Sequence, residues 1–270
     1  MQVRAALGAI ALASALSAAA VAAAPPANES DNWSGYAATG ASFKSVRASW
    51  VQPVAQCFGR SAGQTSSSFW VGLGGDLRRS YKIEQIGTSA DCYADGSVDD
   101  FAWFELWPAG NVPLELRVLP GDRIAAAVTL GRASVHFSLV DATRHEYFSR
   151  TLAIHAPDGS SAEWIAEGPA RVVHGHHEVE SMTDFGSIRF TNASATSNRG
   201  AGSISSRKWR AQKIDFRSDG VDPGSGFSGL LETADAAHGF PSRLSRGGAS
   251  FEVVWRRGLA GGKSAPPGSA

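Results

Sequence analysis

"FAWFELWP", residues 101–108, alternates two kinds of side chain along its length. In an extended strand, successive side chains point to opposite faces. Ala102, Phe104 and Leu106 therefore share one face, and Phe101, Trp103, Glu105 and Trp107 share the other. The first face is apolar and runs from small to large, as a packed core requires. The second mixes indoles with a carboxylate and reads as a binding surface of exposed tryptophans around Glu105. The competing reading is a second buried face with Glu105 hydrogen-bonded. Pro108 closes the run.

The same kind of segment recurs on both sides. "FWVGLGGD" (69–76), "YKIEQIG" (81–87), three runs within 123–154, "SIRFTNASA" (187–195) and "FEVVWRR" (251–257) stand between turn clusters. Their spacing of roughly 8–12 residues is that of a β-sandwich. No 3.6-residue period is sustained beyond the N-terminal leader. The reading is an all-β chain, two large antiparallel sheets packed face to face, forming a single domain over 25–258. "SDGVDPGSGFSG" (218–229) is expected to be a surface loop and residues 259–270 a disordered tail.

Lys+Arg and Asp+Glu number 25 each among 270 residues, so the net charge is zero. No basic stripe suits nucleic acid and no polybasic segment suits anionic lipid. "MQVR" followed by an alanine-rich apolar stretch reads as a signal peptide over 1–24. The mature chain is then exported, extracellular or periplasmic, and free of the membrane after cleavage. In an oxidising compartment the two cysteines, Cys57 and Cys92, are expected to form a disulfide.

"AEWIAE" (162–167) places Glu163, Ile165 and Glu167 on one face of a strand and Ala162, Trp164 and Ala166 on the other. In "KIEQIGT" (82–88), Gln85 shares a face with Ile83 and Gly87. That puts a side chain with two N–H donors where a ligand backbone can approach closely.

Together with "NWSGYAA" (32–38), "GDRI" (121–124) and "FGSIRFTNASAT" (185–196), these blocks resemble the glutamic peptidases, or eqolisins, in the family's order and over nearly the whole mature chain. The resemblance implies a β-sandwich similar to the concanavalin A-like lectin and glucanase jelly rolls. It implies a substrate cleft on one sheet, polypeptide substrates, and no cofactor or metal. By the match to the family's Leu-Gln-Thr-Gly block it makes Gln85 catalytic. By the Ala-Glu-aromatic-Ile-x-Glu block it makes Glu167, not Glu163, the catalytic glutamate. Trp103, Glu105 and Trp107 then line the cleft, and Trp70 lies near the glutamine strand.

The chemistry suits these residue types. Metal-free peptide hydrolysis needs a base for water and a donor for the developing oxyanion. A carboxylate supplies the first, and a primary amide supplies the second without titrating. A hydrogen bond from the Gln85 amide would pull Glu167 below its ordinary ~4.3, giving activity in acid.

Three departures set this chain apart. Gly74 stands where the family commonly has aspartate, the composition is balanced rather than acidic, and "NWSGY" starts close behind the leader. A directly exported, bacterial-type monomer is expected. The alternative is a glycoside hydrolase or lectin-like module on the same sandwich. Glu163 and Glu167 sit ~13 Å apart on a regular strand, against the ~5–9.5 Å of glycosidase carboxyl pairs, and that chemistry gives Gln85 no role. "HGHHE" (174–178) reads as a solvated loop rather than a metal site, and "DFG" (184–186) as coincidence. Asn32 and Asn192 stand in glycosylation patterns.

Overall fold

Alternation along the chain becomes pleated strands whose apolar faces bury one another. The computed structural model describes residues 28–30, 32–57, 64–75, 80, 82–173, 176–216 and 238–257. The leader, the 218–229 loop and the tail lie outside the described residues.

The strands are, in chain order, β1 (Asn28–Ser30), β2 (Trp33–Thr39), β3 (Phe43–Val51), β4 (Thr65–Leu73), β5 (Ile83–Cys92), β6 (Val98–Trp107), β7 (Asn111–Arg117), β8 (Arg123–Leu130) and β9 (Ser134–Asp141). They continue as β10 (Glu146–Ala153), β11 (Ser161–Glu167), β12 (Ala170–Val173), β13 (His176–Val179), β14 (Ser187–Ser197), β15 (Gly200–Ser203), β16 (Arg210–Phe216), β17 (His238–Pro241) and β18 (Phe251–Arg256). No helix occurs among the described residues.

The first sheet has the order β1-β16-β2-β11-β4-β5-β6-β7. The second runs β10-β9-β8-β3-β14-β18-β17, with β15 beside β14. Pairing is antiparallel throughout both sheets except for the short β1, which runs parallel to β16. The expected sandwich of two large antiparallel sheets is the one found.

Between the sheets, Phe69, Val71, Ile86, Phe104 and Trp164 of the first meet Val46, Trp50, Phe137, Phe190 and Phe251 of the second in one buried cluster. Each such side chain, moved out of water, contributes roughly 1.5–3 kcal/mol. Phe104 stacks on Phe137 with ring centroids 5.0 Å apart. The polar ends of the buried indoles are satisfied: Trp164 Nε1 donates to Arg47 O at 2.9 Å and Trp50 Nε1 to Thr88 Oγ1 at 3.0 Å. The core face read from "FAWFELWP" is thus Ala102 and Phe104 in this cluster with Leu106 packed against it.

Cys57 and Cys92 are joined in a disulfide with Cα atoms 5.5 Å apart. It ties the chain beyond β3 to the end of β5, across a sequence separation of 35. In the chain-entropy account, closing a loop of that length stabilises by roughly 4 kcal/mol.

The structure corrects one loop. His176, His177 and Glu178 of "HGHHE" lie in β13, which pairs antiparallel with β12, Val173 opposite His176; His174 and Gly175 lie outside the described residues.

Candidate active site

Strand pairing aligns the functional residues in rows across the outer face of the first sheet. One row runs Ala37, Glu163, Gly72, Gln85, Glu105 over β2, β11, β4, β5 and β6. The next runs Gly35, Ile165, Trp70, Gly87, Trp103, and the third Trp33, Glu167, Ser68, Ser89, Phe101. Gln85 and Glu167 therefore stand on different rows, with the Trp70 row between them.

Two glycines make room for that indole. A Cβ on Gly87 would sit 2.6 Å from Trp70 Cβ and 2.2 Å from Phe69 O. One on Gly72 would sit 2.8 Å from Trp70 Cζ3 and 3.2 Å from Gln85 Cβ. Without side chains on both neighbouring strands, the Trp70 ring can lie along the sheet. Its six-membered edge then reaches the Gln85 row and its N–H the Glu167 row.

At that far end Trp70 Nε1 donates to Glu167 Oε2 at 2.7 Å, and Asn32 Nδ2 donates to Glu167 Oε1 at 2.7 Å. Trp33 packs edge-on against Trp70, with centroids 5.0 Å apart. Burial among these rings dominates the electrostatics and pushes the Glu167 carboxyl up to about 8. The indole donors of Trp70 and Trp33 pull against that rise, and the charge of Glu105 adds to it.

Gln85 is 5% exposed, and its Nε2 donates to Glu105 Oε2. Burial raises the Glu105 carboxyl as well, opposed by this amide. Gln85 Oε1 has no hydrogen-bond partner among the described residues. Trp103 closes the floor, its Nε1 donating to Ser89 Oγ at 2.8 Å, and Ser89 Oγ lies 2.7 Å from Ser68 Oγ.

Two expectations are overturned here. Trp103 is not an exposed platform: it is 3% exposed and packs with Trp70, Ala37, Ile165 and Ile214 into a second buried cluster. Trp107, beside Ile83 in register, is the tryptophan of this strand that faces solvent, at 38%. Nor does the Gln85 amide hold Glu167 ionised: one of its two N–H groups goes to Glu105, and burial raises Glu167 instead of lowering it. The site also contains two residues to which the sequence reading gave no role. Asn32 and Trp33 reach Glu167 because β2 pairs with β11 in the register Trp33 to Glu167. The signal was the "NW" at the head of a strand of small residues.

A groove of about 690 Å³ on the second sheet, lined by Val51, Arg123 and Arg189 among others, contains none of these groups.

This fold and this array of carboxyl, amide and indole groups define a class. The model of the Peptidase A4 family matches residues 31–221, and the chain belongs to that family. It is 29% identical over 143 residues to Aspergillopepsin-2 of Aspergillus niger, covering 51% of this chain and 49% of that protein. It thus spans about half the length of the curated relative it matches. Among solved structures, a Scytalido-glutamic peptidase bound to a peptide-based transition-state analogue superposes with a TM-score of 0.64, at 23% identity, covering 84% of this chain and 98% of the other. The aspergilloglutamic peptidase of Aspergillus niger gives 0.55 at 25% identity, covering 71% and 99%.

Proposed function

We propose that the chain is a secreted endopeptidase that acts on polypeptides through Glu167 and Gln85, working as a monomer without a cofactor. In this reading Glu167 takes a proton from water as water adds to the scissile carbonyl. Gln85 donates an N–H to the oxyanion, and Glu167 returns the proton to the leaving amine. The observation that carries the reading is the Glu167 carboxyl itself, gripped by Trp70 and Asn32 at 2.7 Å each on the face that bears Gln85 and Glu105. A carboxyl pushed up to about 8 is a stronger base than an ordinary glutamate and a better match to a proton-shuttling role near neutral pH. Glu105 orients the Gln85 amide, Trp70 and Trp103 form the floor, and Trp107 meets substrate at the rim. Glu163 shares the Gln85 row and is fully buried, which makes it a structural neighbour of the pair. Secretion rests on the leader and on the disulfide.

The expected acid working range needs a different footing, because its basis was a lowered Glu167. With Glu167 as base, activity climbs with pH toward about 8. At pH 5 roughly one molecule in a thousand would then hold the ionised form. Substantial activity in acid supports a second reading, favoured by the same raised carboxyl, in which neutral Glu167 gives its proton to the carbonyl oxygen as water adds. The test is peptide release from a denatured protein by the purified mature chain from pH 3 to 9. No peptides at any pH, from properly folded protein, would refute both.

A further inference from the structure

Glu84 precedes Gln85 on β5 and faces the opposite way, into the core, opposite Leu73 and Leu106 in register. It is 3% exposed, a carboxyl set among core side chains. Its Oε1 accepts the Asp158 backbone N–H at 3.4 Å, and its Oε2 is buried without a hydrogen-bond partner among the described residues.

Around it three chain segments are knotted together. Asp158 accepts hydrogen bonds from Ser80 Oγ and from the Ser160 backbone, and Ser80 Oγ also accepts the Gly75 N–H at 2.8 Å. Gly74 N donates to Ser161 O at 3.2 Å, and Lys82 Nζ donates to His155 O at 2.9 Å and Ala156 O at 3.3 Å. These segments end β4 and begin β5 and β11, the strands that carry Trp70, Gln85 and Glu167. Gly74 has φ +84°, and a Cβ there would sit 2.5 Å from Lys82 O and 3.0 Å from Asp158 Cβ.

We propose that Glu84 is a positioning residue that works in its neutral form: protonated, it lets residues 74–75, 80, 82–84 and 155–160 pack as one knot and hold the catalytic strands in place; ionised, it loosens them. An unpartnered buried oxygen tolerates a neutral carboxyl far better than a charge. The charged groups that face it among the described residues are Asp158, which opposes ionisation, and Lys82, which favours it but is already committed to two carbonyls. Burial is the larger effect and brings the carboxyl up to about 7. A carboxyl raised on folding stabilises fully below its unfolded value near 4.5, and that stabilisation is lost as pH rises through about 7. The proposal rests on the functional reading only for the consequence at the site, not for the knot.

The experiment measures Tm from pH 4 to 8.5 in the full chain carrying Glu167→Gln, which removes the carboxyl raised to about 8, with and without Glu84→Gln; Asp100, raised to about 6, is present in both proteins and cancels in the comparison. Across that window the fall in Tm is expected to be larger with Glu84 present than with Glu84→Gln by on the order of 10 °C. Protection of the Gly74 and Gly75 amides against hydrogen exchange, after correction for the intrinsic base-catalysed rate, should fall above pH 7 only where Glu84 is present. In otherwise wild-type protein, the ratio of kcat/KM between Glu84→Gln and parent should rise with pH above 7. Glu84→Leu, which matches its register neighbours Leu73 and Leu106, repeats the series if the glutamine variant folds poorly. Parallel Tm curves and unchanged exchange overturn the proposal whether or not the chain cleaves peptides. Inactivity with divergent Tm curves would instead sink the catalytic reading and leave the knot standing.

Discussion

Replacing Trp70 with phenylalanine removes one hydrogen-bond donor from Glu167 while keeping an aromatic ring on the floor. The indole N–H, 2.7 Å from Oε2, favours the charged carboxylate, so its loss raises a carboxyl already at about 8. A hydrogen bond to a charged group contributes ~1.5–3 kcal/mol net, which at 1.36 kcal/mol per unit is about 1–2 units. If Glu167 works as the base, the acid limb of kcat/KM, which reports the free enzyme, moves to higher pH by that amount. On the low-pH side activity falls roughly 10- to 100-fold, and the two profiles converge as Glu167 ionises in both. The assay is kcat/KM on a fluorogenic peptide at half-unit pH steps, with near-ultraviolet circular dichroism as the check on packing. Trp70 is fully buried, so some loss of stability is expected and does not bear on the argument. A uniform fall at every pH, or an acid limb that stays put or moves down, refutes the assignment of Trp70 as the donor that tunes the base.

Gln85→Ala removes one oxyanion donor and should lower kcat by ~10²–10³ while KM changes little; a loss confined to KM contradicts that role. Gly87→Ala drives a Cβ into Phe69 O and Trp70 Cβ, so a destabilisation of roughly 1–3 kcal/mol and a shifted tryptophan fluorescence spectrum should appear together in denaturant titrations. Replacing Cys57 and Cys92 with serine should lower stability by ~2–5 kcal/mol with kcat retained at temperatures where the protein stays folded. Equal stability with and without reductant in the parent protein argues against that figure.

The fold was legible because β4, β6 and β11 are each buried on one face against the second sheet, which leaves a clean period of two in "FAWFELWP" and "AEWIAE". The site was harder to read. Parity separated Gln85, Glu105 and Glu167 from the core-facing residues of their own strands, and the family resemblance grouped them with Trp70, but neither carried information on which side chains meet across strands. That depends on register, which is set by pairing between segments far apart in the chain. Trp103 looked like an exposed platform because alternation distinguishes two faces, not water from a second buried layer. The pairing of Gln85 with Glu105 follows from their direct opposition on β5 and β6, a neighbour relation that no local pattern encodes. Asn32 and Trp33 went without a role for the same reason: their importance arises only when β2 lies beside β11.

The central claim is that Glu167 moves the proton. It is tested most directly by turnover of Glu167→Gln on a peptide substrate, alongside Glu163→Gln on the neighbouring row. The substitution keeps the shape of the side chain and removes its titration. The expected result is loss of turnover in properly folded Glu167→Gln with peptide-inhibitor binding retained, and measurable turnover in Glu163→Gln. Full activity in Glu167→Gln contradicts the account and moves the search to Glu163 and Glu105.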